Sequence, residues 1–331
     1  MELWVITGAA SHNRQAIPVG LYMETIANLH YSTKHKMQSL LCLNQIIPNK
    51  DDSYLQEWRE WSERYFADCF VTLFEKGHTL FPQHYRETND DKEMSSCVDE
   101  YALGSGGVKT GFREVVMRSP GRYELSLLDL YFPTDGLDGD SVDNTNTTMH
   151  WKTINPSAPP PSLDTLLNNP ALARLVPQLL QEESLKDLKI CHVSLLVATP
   201  SSTEQAWHSD GGHVDLQQHR LCHVLNVFLP LVDVPLKMGP TEFRPGSQFL
   251  TRNLTRMMLL AKARKTLRSP VVPVPKAGDA VIFDYRVLHR GQANRSEQNR
   301  TVLVLTFAKS WYKDVCNFPQ RSMHAAGAVD T

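Results

Sequence analysis

Several features that define other protein classes are missing from this sequence. No stretch approaches the roughly 18 apolar residues that span a bilayer, and residues 1–8 lack the basic segment and long apolar run of a secretion signal. The charges nearly cancel, with 34 Lys and Arg against 36 Asp and Glu. A polyanionic partner is therefore not expected, and the sequence predicts no nucleic-acid binding and no membrane span.

Disulfide and zinc-finger patterns are also missing. The six cysteines are scattered without a CxxC pair: Cys42, Cys69, Cys97, Cys191, Cys222 and Cys316. Isolated cysteines of this kind are typical of reduced thiols, and most are expected to be small core residues. The sequence therefore favours a cytoplasmic protein, and it does not define the oligomeric state.

The length allows one elaborated domain. Loop-forming residues are dense at 133–148 and again at 156–161, and we interpret both as surface excursions within that domain. We expect a single domain over 1–331, in which 1–185 form a helical and loop-rich scaffold, 186–315 form the core and 316–331 form a tail.

Helical spacing of apolar residues is confined to the scaffold and to one later insertion. Residues 20–47 predict one or two helices, and Tyr54–Phe66 predict an amphipathic helix whose aromatic side chains belong to the core. Further helices are expected at Leu163–Leu180 and at 254–267, the latter as a covering helix between strands.

From about Lys189 the pattern changes to short apolar runs separated by turn residues, which is typical of β-structure. Some of these runs are apolar on both faces, which favours strands placed between a second sheet and covering helices. The predicted strands are Ile190–Ala198, Leu221–Leu231, Thr241–Arg244, Val271–Val274, Ala280–Leu288 and Thr301–Phe307.

A His-x-Asp pair lies between the first two of these strands. His208 and Asp210 are two residues apart, so on an extended chain their side chains point to the same face. Two imidazoles and one carboxylate on one face of a metal are the ligands of non-haem iron(II) oxygenases, and they leave the other positions open. We take His289, expected at the end of a strand beginning near Val281, as the candidate third ligand.

Arg300 follows His289 after a turn-rich segment, at the start of the next predicted strand. A hairpin would bring the two residues close together, because adjacent strands lie about 5 Å apart. A guanidinium in that place can hold a carboxylate in bidentate fashion while the other end of the same molecule chelates the metal. Arg300 is therefore the candidate co-substrate residue.

The ordered set of motifs resembles the phytanoyl-CoA dioxygenase-like family of iron(II)/2-oxoglutarate-dependent oxygenases. The matching pieces span about residues 190–312: Trp207–Asp210, Leu225–Asp233, Gly239–Ser247, Ala277–Asp284, His289–Gly291 and Arg300. The resemblance implies a mainly β fold with N-terminal helices, whose core is a double-stranded β-helix, also called a jelly roll and similar to cupins.

The same resemblance implies a ligand set and a reaction. His208, Asp210 and His289 would bind Fe(II), and Arg300 would bind the C5 carboxylate of 2-oxoglutarate. Dioxygen would convert this co-substrate to succinate and CO2 while a small or lipid-like organic substrate is hydroxylated, with ascorbate as a supporting reductant. Because halogenating relatives lack the carboxylate ligand, Asp210 favours hydroxylation, although desaturation, cyclisation and epoxidation stay open.

Other interpretations remain open at the level of sequence. The alternatives are a non-catalytic jelly-roll protein that binds a ligand or partner, and a zinc hydrolase on a similar barrel. His219 and His223 have a spacing that suits zinc on a helix, but a predicted strand there would separate them. Arg113, Arg118 and Arg122 surround a turn, where one of them could meet an anionic substrate. The substrate-binding residues are not defined.

Overall fold

The structure is a computed structural model. It describes residues 2–5, 15–18, 40–43, 46–47, 52–80, 111–132, 158–249, 251–253, 269–313 and 318–324. The predicted loop at 133–148 and the predicted helix at 254–267 lie outside these ranges, as do Cys97 and Cys316.

Nine strands form the larger sheet within the described ranges. In chain order they are β1 Glu2–Val5, β2 Gln15–Pro18, β3 Leu40–Leu43, β4 Val115–Ser119, β5 Arg122–Ser126, β6 Leu188–Ala198, β7 Val224–Pro230, β9 Ala280–Asp284 and β11 Arg300–Lys309. Their order across the sheet is β2-β1-β3-β9-β7-β11-β6-β5-β4, and neighbouring strands are antiparallel.

The smaller sheet carries two of the metal-ligand candidates. Strands β8, Thr241–Phe243, and β10, His289–Gly291, pair in antiparallel fashion. Isolated bridges extend this pair on both sides, from His208 to His289 and from Phe243 to Val271. From β6 onward the chain repeatedly passes between the two sheets, which is the winding of a double-stranded β-helix and confirms the predicted jelly-roll core.

The two faces of the larger sheet are buried in different ways. On β11, Leu303 and Leu305 belong to a core shared with the helices, whereas Val302 and Val304 pack in a second core inside the barrel. Both faces are therefore covered, and this explains why the strands are nearly continuous apolar runs. We call the face that carries Val302 and Val304 the inner face.

Four α-helices are described: α1 Asp52–Glu75, α2 Leu128–Tyr131, α3 Asp164–Leu167 and α4 Pro170–Leu180. Asn169 caps α4, since its side-chain oxygen accepts hydrogen bonds from the amides of Ala171 and Leu172. No helix in the described ranges has the combined length and apolarity needed to cross a membrane.

The aromatic residues of α1 belong to the core, as the sequence predicted. Trp58, Trp61 and Tyr65 are buried, and the Trp61 and Tyr65 rings stack at a centroid distance of 4.9 Å. The Nε1 group of Trp61 also donates to the carbonyl of Ala158. This helix covers the outer face of the sheet and is not part of a ligand wall.

Two sequence predictions about secondary structure are wrong. Leu40–Leu43 was expected within a helix but forms β3, which pairs with β1 and β9. The run from Ala280 to His289 was expected to be one strand. Instead, β9 ends at Asp284, a turn follows in which the Val287 amide donates to the Asp284 carbonyl, and His289 begins β10 in the other sheet.

Candidate metal and co-substrate site

The three predicted metal ligands converge at one point. His208, Asp210 and His289 each offer a ligand atom, and these atoms lie within 4.8 Å of one another. The carboxylate stands between the imidazoles, with Nε2 of His208 3.7 Å from Oδ1 and Nε2 of His289 3.4 Å from Oδ2. Such spacing allows one ion to contact all three groups.

Backbone pairing holds the two histidines side by side. The amide of His208 donates to the carbonyl of His289, and the amide of His289 donates to the carbonyl of His208. The backbone of Asp210 is fixed by a different contact, because its amide donates to the carbonyl of Tyr285 in the turn after β9. The ligand positions therefore depend on backbone register between segments far apart in sequence.

Hydrogen bonds to the imidazoles leave the right nitrogen atoms available. Nδ1 of His208 lies 2.9 Å from the carbonyl of Ala206, and Nδ1 of His289 lies 3.0 Å from the carbonyl of Val287. Because a carbonyl oxygen only accepts, each Nδ1 carries the proton and each Nε2 keeps its lone pair. Both lone pairs are on the atoms that converge with Asp210.

A short hydrogen-bond chain orients the carboxylate. Nδ2 of Asn226 donates to Oδ2 of Asp210 at 2.6 Å, and Oγ1 of Thr306 donates to Oδ1 of Asn226 at 2.6 Å. Asn226 and Thr306 are opposite each other on β7 and β11. Sequence analysis did not assign Asn226, since nothing in its local pattern distinguishes it from a packing residue; its contact with Asp210 depends on the tertiary fold.

Arg300 lies at the start of β11 and is buried. It lines a cavity whose other walls are apolar, formed by Phe228, Pro230, Val234, Pro240, Phe243, Pro273, Pro275, Val281 and Val302, with Thr241. Two of these walls also touch the metal-ligand cluster, because the rings of Phe228 and Phe243 lie 6.5 and 5.8 Å from the His289 ring. The cavity therefore adjoins His289.

The predicted hairpin between His289 and Arg300 is wrong. His289 begins β10, which pairs with β8 in the smaller sheet, whereas Arg300 begins β11, which pairs with β6 and β7 in the larger sheet. The two residues approach the barrel interior from opposite sheets. The link between them is the shared apolar wall of Phe228 and Phe243.

Trp207 and Gln205, next to the candidate ligands, make structural contacts. Trp207 is buried, and the guanidinium groups of Arg244 and Arg290 lie 4.3 and 4.7 Å from its ring centroid. The Gln205 side chain accepts a hydrogen bond from the Gly291 amide. Among the described residues, the cluster of three side chains suited to a metal is that of His208, Asp210 and His289, and it does not include His219 or His223.

A jelly roll that brings two histidines and one aspartate together beside a buried arginine is the architecture of non-haem 2-oxoglutarate-dependent oxygenases. Residues 143–302 match the family model described as phytanoyl-CoA dioxygenase (PhyH). This segment contains His208, Asp210, His289 and Arg300. This segment, a little under half of the chain, is therefore similar to the phytanoyl-CoA dioxygenase family of enzymes.

The chain is also similar to several solved structures. One is the non-heme alpha ketoglutarate dependent carbocyclase SnoK from nogalamycin biosynthesis, at 15% identity over 86% of each chain with a TM-score of 0.46. A second is AviO1 from Streptomyces viridochromogenes Tue57, at 16% identity over 83% of this chain and 92% of that one, with a TM-score of 0.45. A third is HygX from Streptomyces hygroscopicus with nickel and 2-oxoglutarate bound, at 13% identity over 83% and 84%, with a TM-score of 0.41.

Proposed function

We propose that His208, Asp210 and His289 bind Fe(II) and that Arg300 binds the C5 carboxylate of 2-oxoglutarate. The enzyme would use dioxygen to decarboxylate 2-oxoglutarate oxidatively to succinate and CO2 while it hydroxylates a small or lipid-like organic substrate. The observation that carries this proposal is the convergence of the three ligands beside a cavity that ends at a buried arginine.

The chemistry of the donor set fits Fe(II). Two neutral imidazole nitrogens and one carboxylate suit a divalent transition metal, and the ligands come from one side only. When bound, the iron supplies the activation of dioxygen that the protein side chains lack. The chain's own part is to hold the lone pairs of His208 and His289 toward the site and to orient Asp210 through Asn226.

The environment of Arg300 fits a carboxylate ligand. No described carboxylate pairs with this guanidinium; Nη1 donates to the Gly239 carbonyl, and Nε has no hydrogen-bond partner. Burial lowers the pKa of Arg300 well below its ordinary value, and the charge of Arg122 lowers it further. A buried cation is costly without a counter-charge, so binding of a carboxylate here is favourable.

The three candidate metal ligands differ in how far their side chains are exposed to solvent. The side chain of His289 is only 4% exposed, whereas those of His208 and Asp210 are 21% and 24% exposed. An organic substrate would approach from the side of His208 and Asp210. The apolar walls around Arg300 would meanwhile exclude water from the co-substrate carbon chain.

The test of metal binding uses anaerobic protein and Fe(II), with metal content measured after desalting. We expect about one ion per wild-type chain and loss of metal in His208→Ala and in Asp210→Ala, because each removes a ligand. Retention of stoichiometric iron by both variants would refute the assignment of the ligands.

The test of co-substrate binding uses the metal-loaded protein and calorimetry without oxygen. Arg300→Leu should keep the metal and lose 2-oxoglutarate affinity by at least about a hundredfold, because a charge-assisted bidentate contact is removed. Arg295→Leu is the matched control, since Arg295 is an exposed residue of the preceding loop. If both variants bind 2-oxoglutarate as the wild type does, the role given to Arg300 is wrong.

Turnover separates the enzyme from a non-catalytic binding protein. With Fe(II), ascorbate, dioxygen and 2-oxoglutarate, the wild type should form succinate slowly even without substrate, and faster when a metabolite panel includes its substrate. Normal metal occupancy with no succinate across a broad panel would favour a ligand-binding jelly roll. Activity that persists without oxygen and 2-oxoglutarate would favour a hydrolase.

A further inference from the structure

A second buried arginine lies in the same row of the larger sheet as Arg300. Arg122 on β5 is the register partner of Ala198 on β6, and Ala198 is the register partner of Arg300 on β11. Side chains of register partners point to the same face of a sheet. Arg122 and Arg300 therefore both point to the inner face, two strands or about 10 Å apart, and only the methyl group of Ala198 stands between them in the row.

Neither arginine has an acidic partner among the described residues. Nη2 of Arg122 donates to the carbonyls of Gln292 and Thr203 at 2.8 and 3.4 Å, while its Nε and Nη1 have no partner. The third buried arginine is different. Arg286 makes two side-chain hydrogen bonds, of 2.9 and 2.6 Å, to the carboxylate of Asp284.

The pKa values of the three buried arginines differ in the same way. Burial lowers the pKa of Arg122 to about 10, and the charge of Arg122 adds to the effect of burial on Arg300. Although burial would lower the pKa of Arg286 as well, Asp284 raises it above the ordinary value. The fold therefore neutralises one buried guanidinium and leaves two like charges near the cavity without a counter-ion.

The smaller sheet leaves room for Arg122. A Cβ atom on Gly291 would lie 2.5 Å from Nη1 of Arg122 and 2.8 Å from Oε1 of Gln205. Only glycine at this position lets the guanidinium lie against β10. Arg122 is not among the residues that line the cavity, so its effect on a ligand there would be exerted by its charge and not by contact.

We propose that Arg122 is a positioning residue that selects the co-substrate: its charge, added to that of Arg300, makes the cavity favour 2-oxo acids with an anionic tail over those with an apolar tail. This inference rests on the proposed binding of 2-oxoglutarate at Arg300. The like charges disfavour the empty site, and a distal carboxylate relieves both at once.

The experiment compares two 2-oxo acids that differ in the distal group. Dissociation constants of 2-oxoglutarate and 2-oxopentanoate are measured on the full, metal-loaded chain without oxygen. Arg122→Gln should raise the dissociation constant of 2-oxoglutarate by about tenfold, which is the scale of the interaction with one charge at about 10 Å in a protein interior. The same substitution should change the dissociation constant of 2-oxopentanoate by less than about twofold, because that molecule has no distal charge.

Two further variants separate charge from structure. Arg122→Lys keeps the charge but not the fork of donors, and it should restore most of the selectivity. Arg122→Met is a second neutral variant whose side chain has no polar group of its own, and it should lose selectivity as Arg122→Gln does. The free energy of unfolding of each variant, measured without ligand, verifies that it is folded.

The outcomes are distinct. The inference would be overturned if the neutral variants bound both acids equally more weakly, or if a folded Arg122→Lys lost selectivity. Either result would mean that Arg122 only supports the carbonyls of Thr203 and Gln292. A wild type that binds no 2-oxoglutarate at all would instead refute the proposed function. Selectivity lost in the neutral variants and kept in Arg122→Lys supports the inference.

Discussion

At the scale of single residues, Gly211 shows how tightly the proposed metal ligand Asp210 is packed against its neighbours. It follows Asp210 directly, and a Cβ atom here would lie 1.8 and 2.0 Å from two carbons of the Tyr285 ring. Tyr285 is itself buried, and its carbonyl accepts the hydrogen bond from the Asp210 amide. The ring and the aspartate therefore cannot be displaced independently.

We predict that Gly211→Ala lowers the free energy of unfolding by about 1–3 kcal/mol, as overpacking of a filled core does. It should also weaken Fe(II) binding by at least about tenfold, because Asp210 must move with the backbone. Gly212→Ala is the matched control, since nothing lies within 4 Å of its added Cβ. Urea unfolding and metal titration of the pair check this, and equal values for the two variants would contradict it.

The four proposed site residues could be named from the sequence because their types and order are specific to one chemistry. His208, Asp210, His289 and Arg300 needed no knowledge of the fold. Asn226 and Arg122 did need it, because an asparagine inside an apolar strand and an arginine beside a turn are ambiguous until their neighbours are known. Their environments are created by strands that are distant in sequence.

At the scale of elements, α1 is the longest helix described, and its buried aromatic face supports the sheet. Trp58 is fully buried, whereas Phe74 near the other end of the same helix is 86% exposed. We predict that Trp58→Ala costs about 3–5 kcal/mol of unfolding free energy, the range for truncating a buried aromatic residue. Phe74→Ala should stay within about 0.5 kcal/mol of the wild type.

Chemical denaturation of the two variants measures this difference. A Trp58→Ala protein as stable as Phe74→Ala would show that α1 contributes little to the core. The wild-type midpoint serves as the reference for both, and an unchanged denaturant slope would show that the unfolding transition itself is the same.

Elements with long periodic patterns were predicted well, and short apolar runs were not. The spacing of aromatic residues in α1 extends over several turns, so the helix period is unambiguous. Leu40–Leu43 is a four-residue run that is apolar throughout, and such a run does not distinguish helix from strand. Its pairing with β9 decides the outcome.

The strand predicted through His289 failed for a different reason. Alternation between inward and outward positions continues across the turn after Asp284, so Val281, Phe283 and Val287 all belong to the inner core. The pattern therefore looks like one strand although the chain changes sheets. The alternation depends on which side chains are buried. A continuous strand and a chain that turns into the other sheet both bury Val281, Phe283 and Val287, so the pattern does not distinguish the two.

At the scale of the whole molecule, a buried histidine should make stability depend on pH. His223 is 3% exposed and packs against the rings of Trp311 and Tyr312. Burial, with a smaller effect from Arg286, lowers its pKa to about 4. The unfolded chain binds the proton at its ordinary value of about 6.5, so the folded state is favoured above that pH and this advantage is lost as the pH falls toward 4.

We predict that this histidine accounts for up to about 3 kcal/mol of the stability lost between pH 7 and pH 4. His223→Phe keeps an aromatic ring against Trp311 and Tyr312 but cannot be protonated. Its unfolding free energy should therefore decline less steeply than that of the wild type over this range. Parallel pH profiles for the two proteins would contradict the prediction.

The reciprocal hydrogen bonds between His208 and His289 have a practical consequence for anyone who prepares this protein. A slip of one residue in that pairing would turn the His289 side chain away and present Leu288 or Arg290 in its place. No intermediate alignment provides two imidazoles. We therefore expect only correctly aligned chains to retain Fe(II). The metal content of a refolded or mutated sample would then measure the fraction of correctly aligned chains, even before any substrate is known.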